Sequence, residues 1–164
     1  MAADAPRQVK KVSAGLLMYR READGLRVLL VHPGGPFFRN KDDGVWTIPK
    51  GEPAPDEALP ATAAREFLEE TGLPVREPLL ELGEVRQAGG KVVHGWAFAG
   101  DPLPSGWLPT CNTFELEWPP RSGRRQSFPE IDRAELMDLA TARKKMNPAQ
   151  VVFLERLQAR LDSP

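Results

Sequence analysis

The sequence has a single cysteine, Cys111, in 164 residues. An intrachain disulfide framework and a cysteine-rich zinc site are therefore excluded. Only two histidines are present, His32 and His94, so a histidine-built metal centre is not expected. Neither sign of charge is in excess: 22 Lys and Arg against 23 Asp and Glu give a net charge of -1. That balance argues against gripping nucleic acid or an anionic membrane by bulk charge, but it leaves room for a small charged ligand met by a local patch. Long hydrophobic runs are missing as well. The longest aliphatic stretches, Gly15 to Met18 and Val28 to Val31, fall far short of the roughly 18 residues a spanning helix needs. Met1 to Lys11 is polar and lacks the apolar stretch of a secretory signal, so a cytoplasmic location is expected.

What is present fits one globular unit. Hydrophobic residues make up 41% and charged residues 27%, ordinary values for a folded domain. Residues 1–10 read as a flexible tail and 11–164 as a single domain, expected as a monomer or homodimer. Seventeen prolines, about twice the usual share, predict rigid loops.

Apolar patterning predicts strands at Val12–Tyr19 and Leu26–His32, with a turn over Arg20–Gly25 between them. The second is aliphatic enough to be buried on both faces. Val45–Pro49 is a short extended piece, and Pro49 and Pro53 keep Lys50 and Gly51 out of helix. Ala61–Thr71 is the clearest helix, with Pro60 in its first turn and Gly72 just past its end. Further strands are expected at Leu79–Gln87, Lys91–Ala99, Thr113–Trp118 and Ile131–Asp138. Gly89 and Gly90 form a hairpin turn, and Pro119–Arg125 is a loop. Asn147-Pro148 opens a last helix striped by Val151, Leu154, Leu157 and Leu161. Hairpins mixed with two main helices indicate an α+β domain.

The first helix carries the chemistry. At about 100° per residue, Glu66, Glu69 and Glu70 share one arc, while Ala64, Phe67, Leu68 and Thr71 occupy the other as the expected core face. Like charges at i,i+4 oppose a helix by a few tenths of a kcal/mol per pair. An oxygen-seeking cation reverses that sign, and Mg²⁺, which uses one or two carboxylates plus substrate phosphates, is the natural candidate. A solvated acidic face is the bland alternative for such a helix taken alone.

The residues around the helix decide between these readings. Gly51, Glu57, and Arg65-Glu66-Phe67-Leu68-Glu69-Glu70-Thr71-Gly72-Leu73 stand at the spacing G-x5-E-x7-R-E-U-x-E-E-x-G-U. This resembles the signature of the Nudix hydrolases, with every fixed position filled and Phe67 aromatic where an aliphatic is commoner. The resemblance implies an α/β/α sandwich around a mixed sheet. It implies Mg²⁺-dependent hydrolysis, with Mn²⁺ able to substitute, of a nucleoside diphosphate linked to another group. It implies that Glu66, Glu69 and Glu70 bind metal together with a backbone carbonyl at Lys50 or Gly51, and that Glu66 helps activate water. It also implies that Arg65 orients Glu69, that Glu57 folds back onto the helix start or Arg65, and that Gly51 and Gly72 shape the loop and the helix end.

Family members often take a further carboxylate from a later segment. Glu115, Glu117 and Glu130 are the candidates, with Glu130 preferred because it precedes an apolar strand. Lys50 and Arg124, the latter in a basic loop with Arg121 and Arg125, are candidate phosphate contacts. Trp46 is either a base-stacking or a core residue. His94 reads as a hydrogen-bonded strand histidine and Cys111 as inert. Trp46-Thr47-Ile48-Pro49-Lys50-Gly51 resembles the W-T-x-P-K-G stretch of members acting on dinucleoside polyphosphates or diphosphoinositol phosphates. Housecleaning nucleoside triphosphate or ADP-ribose hydrolysis, RNA 5′-end hydrolysis, and a non-catalytic nucleotide-sensing module remain as alternatives.

Overall fold

Two long antiparallel strands, β1 (Val12–Glu22) and β2 (Gly25–Pro33), begin the chain in the computed structural model, which describes residues 11–163. The expected tail at residues 1–10 lies outside the described residues. The strand pair runs further than the apolar pattern predicts, because Arg20, Arg21 and Glu22 continue the ladder with polar side chains and leave only Ala23 and Asp24 to turn. After β3 (Lys50–Gly51) and helix α1 (Leu59–Thr71) come β4 (Leu80–Arg86), β5 (Val92–Ala99), β6 (Thr113–Glu117), β7 (Arg125–Pro129) and β8 (Ile131–Asp138). Helices α2 (Leu139–Lys145) and α3 (Val152–Asp162) close the chain.

The main sheet runs β4-β5-β1-β2-β8, with β3 added beside β1. β1 and β5 are parallel and the other pairs antiparallel, so the sheet is mixed. β1 is buried on both faces, and its alternating side chains divide the core. Ala14, Leu16 and Met18 point to α1 with Ala63, Phe67 and Phe98. Leu17 and Tyr19 point the other way, to Trp46, Phe153, Leu154 and Leu157. This is the expected α/β/α sandwich, built by the period-2 alternation of one strand.

The structure departs from the sequence reading in four places. β7 begins at Arg125, inside the expected loop, and pairs with β6 as a separate two-stranded hairpin. α2 was not expected. Asn147-Pro148 opens only a short 3₁₀ turn, Pro148–Gln150, before α3 starts at Val152. Leu68, expected in the core, is 53% exposed, while the acidic residue Glu70 is buried. The buried stripe of α1 is Thr62, Ala63, Phe67, Glu70 and Thr71, so it is rotated towards the carboxylates.

Candidate active site

Gly15 explains where the site forms. A β-carbon there would lie 2.5 Å from the Pro49 carbonyl oxygen, so glycine lets the 46–51 segment press onto β1. Leu16 N–H donates to that carbonyl at 3.1 Å. From below, the buried Gln150 accepts from Ile48 N–H at 3.0 Å. No pattern in the sequence marks Gln150 for this task. Trp46 is wholly buried and donates from Nε1 to Asp42 at 2.7 Å, so it is a core residue and not a base platform.

The segment delivers Gly51 to α1. A β-carbon at Gly51 would collide with the Glu66 carboxylate, so only glycine permits this approach. Side chains alternate along β3, and Lys50 therefore points away from the Glu66 side. Its amine is pushed down to about 8 by burial and by the neighbouring Lys91 charge. Lys50 joins the site through its backbone, whose N–H donates to Glu70 Oε2 at 3.2 Å.

The carboxylates of α1 are held unequally. Arg65 forms a two-pronged contact with Glu57, from Nε and Nη2, both at 2.9 Å. Its Nη1 reaches Glu66 at 2.9 Å and Glu69 only at 3.3 Å, and Nη2 also meets the Glu52 carbonyl at 3.2 Å. Its main partners are thus Glu57 and Glu66, with Glu69 held more loosely. Glu57 also accepts from Ala54 N–H at 3.1 Å and Thr62 Oγ1 at 2.7 Å, so it contacts both the helix start and Arg65. These bonds, Arg65 first, pull the Glu57 carboxyl down to about 2. Burial and the nearby Glu66 charge push Glu70 the other way, up to about 8. Glu66 is also raised, by burial and then by Glu69. Gly72 ends α1 in a left-handed conformation, φ 71°, with its N–H on the Leu68 carbonyl at 2.8 Å.

Among the three later carboxylates, Glu130 faces the helix. It lines a cleft of about 160 Å³ with Thr47, Ile48, Lys50, Glu70 and Ile131. Its carboxyl is raised by burial and then by the Glu69 charge. Cys111 helps to fix this corner, since Sγ donates to the Ile131 carbonyl at 3.2 Å. Glu115 and Glu117 stand on the separate β6-β7 hairpin, where Glu117 accepts from Gly123 N–H at 3.0 Å. Arg124 stands near the tip of the same hairpin, opposite Trp118, whose N–H donates to its carbonyl at 2.9 Å. His94 lies on β5 and meets Glu84 at 3.1 Å, away from the cleft.

A model of the NUDIX domain matches residues 9–157. The chain belongs to the Nudix family. With every signature position filled, it is a Nudix pyrophosphohydrolase. No curated protein sequence matches it significantly. The Nudix fold is shared with an Ap4A hydrolase of C. elegans in a binary complex, at 21% identity and a TM-score of 0.65 over 91% of this chain and 97% of that one. It is shared with the NUDIX domain of Shewanella oneidensis NrtR complexed with ADP ribose, at 18% identity and a TM-score of 0.64 over 96% and 93%. A MutT protein from Methanosarcina mazei Go1 aligns at 19% identity and a TM-score of 0.62 over 97% and 100%.

Proposed function

We propose that this Nudix enzyme uses Mg²⁺, or Mn²⁺ in its place, to hydrolyse a phosphoanhydride bond of a nucleoside diphosphate linked to another group, with dinucleoside polyphosphates as the substrate class. The observation that carries the reading is that Glu70 and Glu130 line one cleft with the Glu66 charge close by, and the carboxyls of all three are raised. Carboxylates crowded in this way are costly without a cation and well suited to one.

The donor set fits a hard cation. Every candidate ligand is an oxygen: Glu66, Glu69, Glu70 and the backbone carbonyl of Lys50 or Gly51. Arg65 meets Glu66 and Glu69 while Glu57 fixes its guanidinium. A divalent cation held by these oxygens would neutralise non-bridging phosphate oxygens and lower the pKa of water beside it. Glu130, whose carboxyl is raised by burial and which lines the cleft with Glu70, takes up the proton of the attacking water in its ionised form. Glu66 supports it from the helix. Gly51 keeps the backbone close enough to Glu66 for a carbonyl and a carboxylate to act together.

The substrate class draws on two supports. The Trp46–Gly51 stretch resembles that of members acting on dinucleoside polyphosphates, and one structural neighbour is an Ap4A hydrolase. The described residues contain no helix long and apolar enough to cross a membrane. A screen of dinucleoside polyphosphates, nucleoside triphosphates and ADP-ribose with Mg²⁺ and with Mn²⁺, products resolved by chromatography, tests the reading. Dinucleoside polyphosphates are expected to give the highest kcat/KM, and excess EDTA is expected to abolish turnover until Mg²⁺ is restored. Undiminished turnover in chelator removes the metal mechanism. Preference for a triphosphate or ADP-ribose removes the substrate class.

A further inference from the structure

The cleft beside Glu130, about 160 Å³, is smaller than the roughly 300 Å³ at which pockets for whole small molecules begin. It admits phosphates, so a nucleoside joined to them must lie on surfaces outside it. The loop after β2 and the β6-β7 hairpin rise together from the rim of this cleft. Gly34 N–H donates to the Glu130 carbonyl at 2.9 Å, and Glu130 N–H donates to the Asn112 carbonyl at 2.9 Å. Both segments therefore start at the candidate catalytic carboxylate.

They meet again further out. Phe37 packs edge-on against Trp118, with ring centroids 5.3 Å apart at 79°. Phe37 nonetheless remains 58% exposed, one of the large apolar side chains the described surface leaves open. Phe37 follows Gly34 by three residues, which limits its distance from Gly34 to about 11 Å of extended chain. Antiparallel pairing puts Phe114, Leu116 and Trp118 on one face of the hairpin with Phe128, Gln126 and Arg124. Phe114 lies against Gly35. That face is thus turned to the 33–38 loop, and Arg124 shares it with the aromatic pair.

Arg20, Arg27, Arg65 and Arg76 each pair with a carboxylate. Among the described residues Arg121, Arg124 and Arg125 make no ion pair. Glu117, directly opposite Arg125, instead binds Gly123 N–H. An exposed aromatic ring beside the Arg124 guanidinium, a short reach from an acidic metal-type site, is complementary to a base carrying phosphates.

We infer that Phe37 and Trp118, with Arg124, form the subsite for the second nucleoside and distal phosphates of a dinucleoside polyphosphate. This rests on the hydrolase reading above and gives it a source of selectivity. The base stacks on the open face of Phe37, which Trp118 holds in position. The Arg124 guanidinium meets phosphates that extend beyond the cleft. A nucleotide without a second nucleoside makes none of the stacking contact, so the arm acts on preference and not on the chemical step.

The test compares dissociation constants by calorimetry, in Mg²⁺, for methylene-bridged diadenosine tetraphosphate and for α,β-methylene-ADP. The wild-type protein is expected to bind the first at least about tenfold more tightly. Phe37→Ala is expected to shrink that ratio by about tenfold, the loss of one base stack. Arg124→Gln is expected to shrink it too and to weaken the dependence of tetraphosphate binding on salt. Both positions lie on exposed surface, and circular dichroism checks that each variant is folded. No preference in the wild type, or a ratio unchanged in both variants, overturns the subsite. Phosphoanhydride hydrolysis without any such preference leaves the hydrolase reading standing and removes the subsite. Preference without hydrolysis does the reverse.

Discussion

Every guanidinium nitrogen of Arg65 is in use, and the two-pronged contact goes to Glu57, with a single contact to Glu66 on the acid face. Glu57 is thus a clamp that fixes the planar fork while Glu66 and Glu69 remain available to a cation. Lysine keeps the charge but has no fork. Arg65→Lys is therefore expected to lower kcat clearly with little change in Mg²⁺ affinity, and wild-type kcat in steady-state assays would reduce Arg65 to a surface ion pair. The same geometry ranks the carboxylates. Glu69→Gln and Glu70→Gln remove candidate ligands, and several kcal/mol of lost transition-state stabilisation corresponds to roughly 10³-fold in kcat/KM. Glu57→Gln disturbs only the support and is expected to cost about 10–100-fold. If Glu57→Gln proves the worst of the three, the division of roles is wrong. At this scale the sequence was informative about proximity wherever spacing defines it: Gly51, Glu57, Arg65 and Glu66 stand together as their spacing suggests. It was silent where a contact joins distant segments. Gln150 under Ile48 and Cys111 beside Ile131 are 102 and 20 residues from their partners. Lys50, suggested as a phosphate contact by its place next to Gly51, lines the cleft with Glu70 and Glu130, and its backbone N–H holds Glu70.

At the scale of elements, α1 was readable because its local signals agree: helix formers throughout, Pro60 in the first turn and Gly72 at the left-handed end. The wheel placed Leu68 inward and Glu70 outward, and the packing of Glu70 against the β3 backbone reversed both. α2 was not readable because only Ala142 of its residues is buried. Its signals are electrostatic: Asp138 accepts from Thr141 N–H at 2.8 Å, and Arg143, Lys144 and Lys145 crowd the last turn, where the helix dipole favours them. β7 escaped because Arg125, Gln126 and Ser127 are exposed and only Phe128 is buried. The contact between β3 and α1 gives a sharp prediction. A methyl group at Gly51 meets the end of the flexible Glu66 side chain, which can swing aside, so the fold survives but the ligand is displaced. Gly51→Ala is expected to lose most activity while its metal-free melting temperature moves by no more than about 4 °C, equivalent to ~1 kcal/mol for a chain of this size. Unfolding of the variant, or full activity, would contradict this account of the glycine.

For the whole molecule, the buried acid couples stability to pH and metal. Glu70 titrates near 8 in the fold against an ordinary value of 4.5, and burial is the main cause. A raised carboxyl stabilises the fold fully below its unfolded value and loses that contribution as pH rises through the folded one. The metal-free protein is therefore expected to melt at lower temperature as pH increases from 5 to 8. Glu66 and Glu130, both raised, act in the same direction. Glu57, drawn down to about 2, acts in another window: its contribution is present above 4.5 and is lost as pH falls towards 2. Between pH 5 and 8 the acids of the cleft thus set the slope. A bound cation demands the ionised carboxylate, so metal binding at pH 7 must release protons and stabilise most where the apoprotein is weakest. Calorimetric titration of Mg²⁺ in two buffers of different ionisation enthalpy measures that release, and thermal melts across pH 5–8 with and without Mg²⁺ measure the slope. Glu70→Gln, which is neutral throughout, is expected to flatten the metal-free slope and to raise the melting temperature at pH 8. A wild-type slope that rises with pH, or one that Glu70→Gln leaves unaltered, would show that the protonation of this residue does not govern the stability of the empty site.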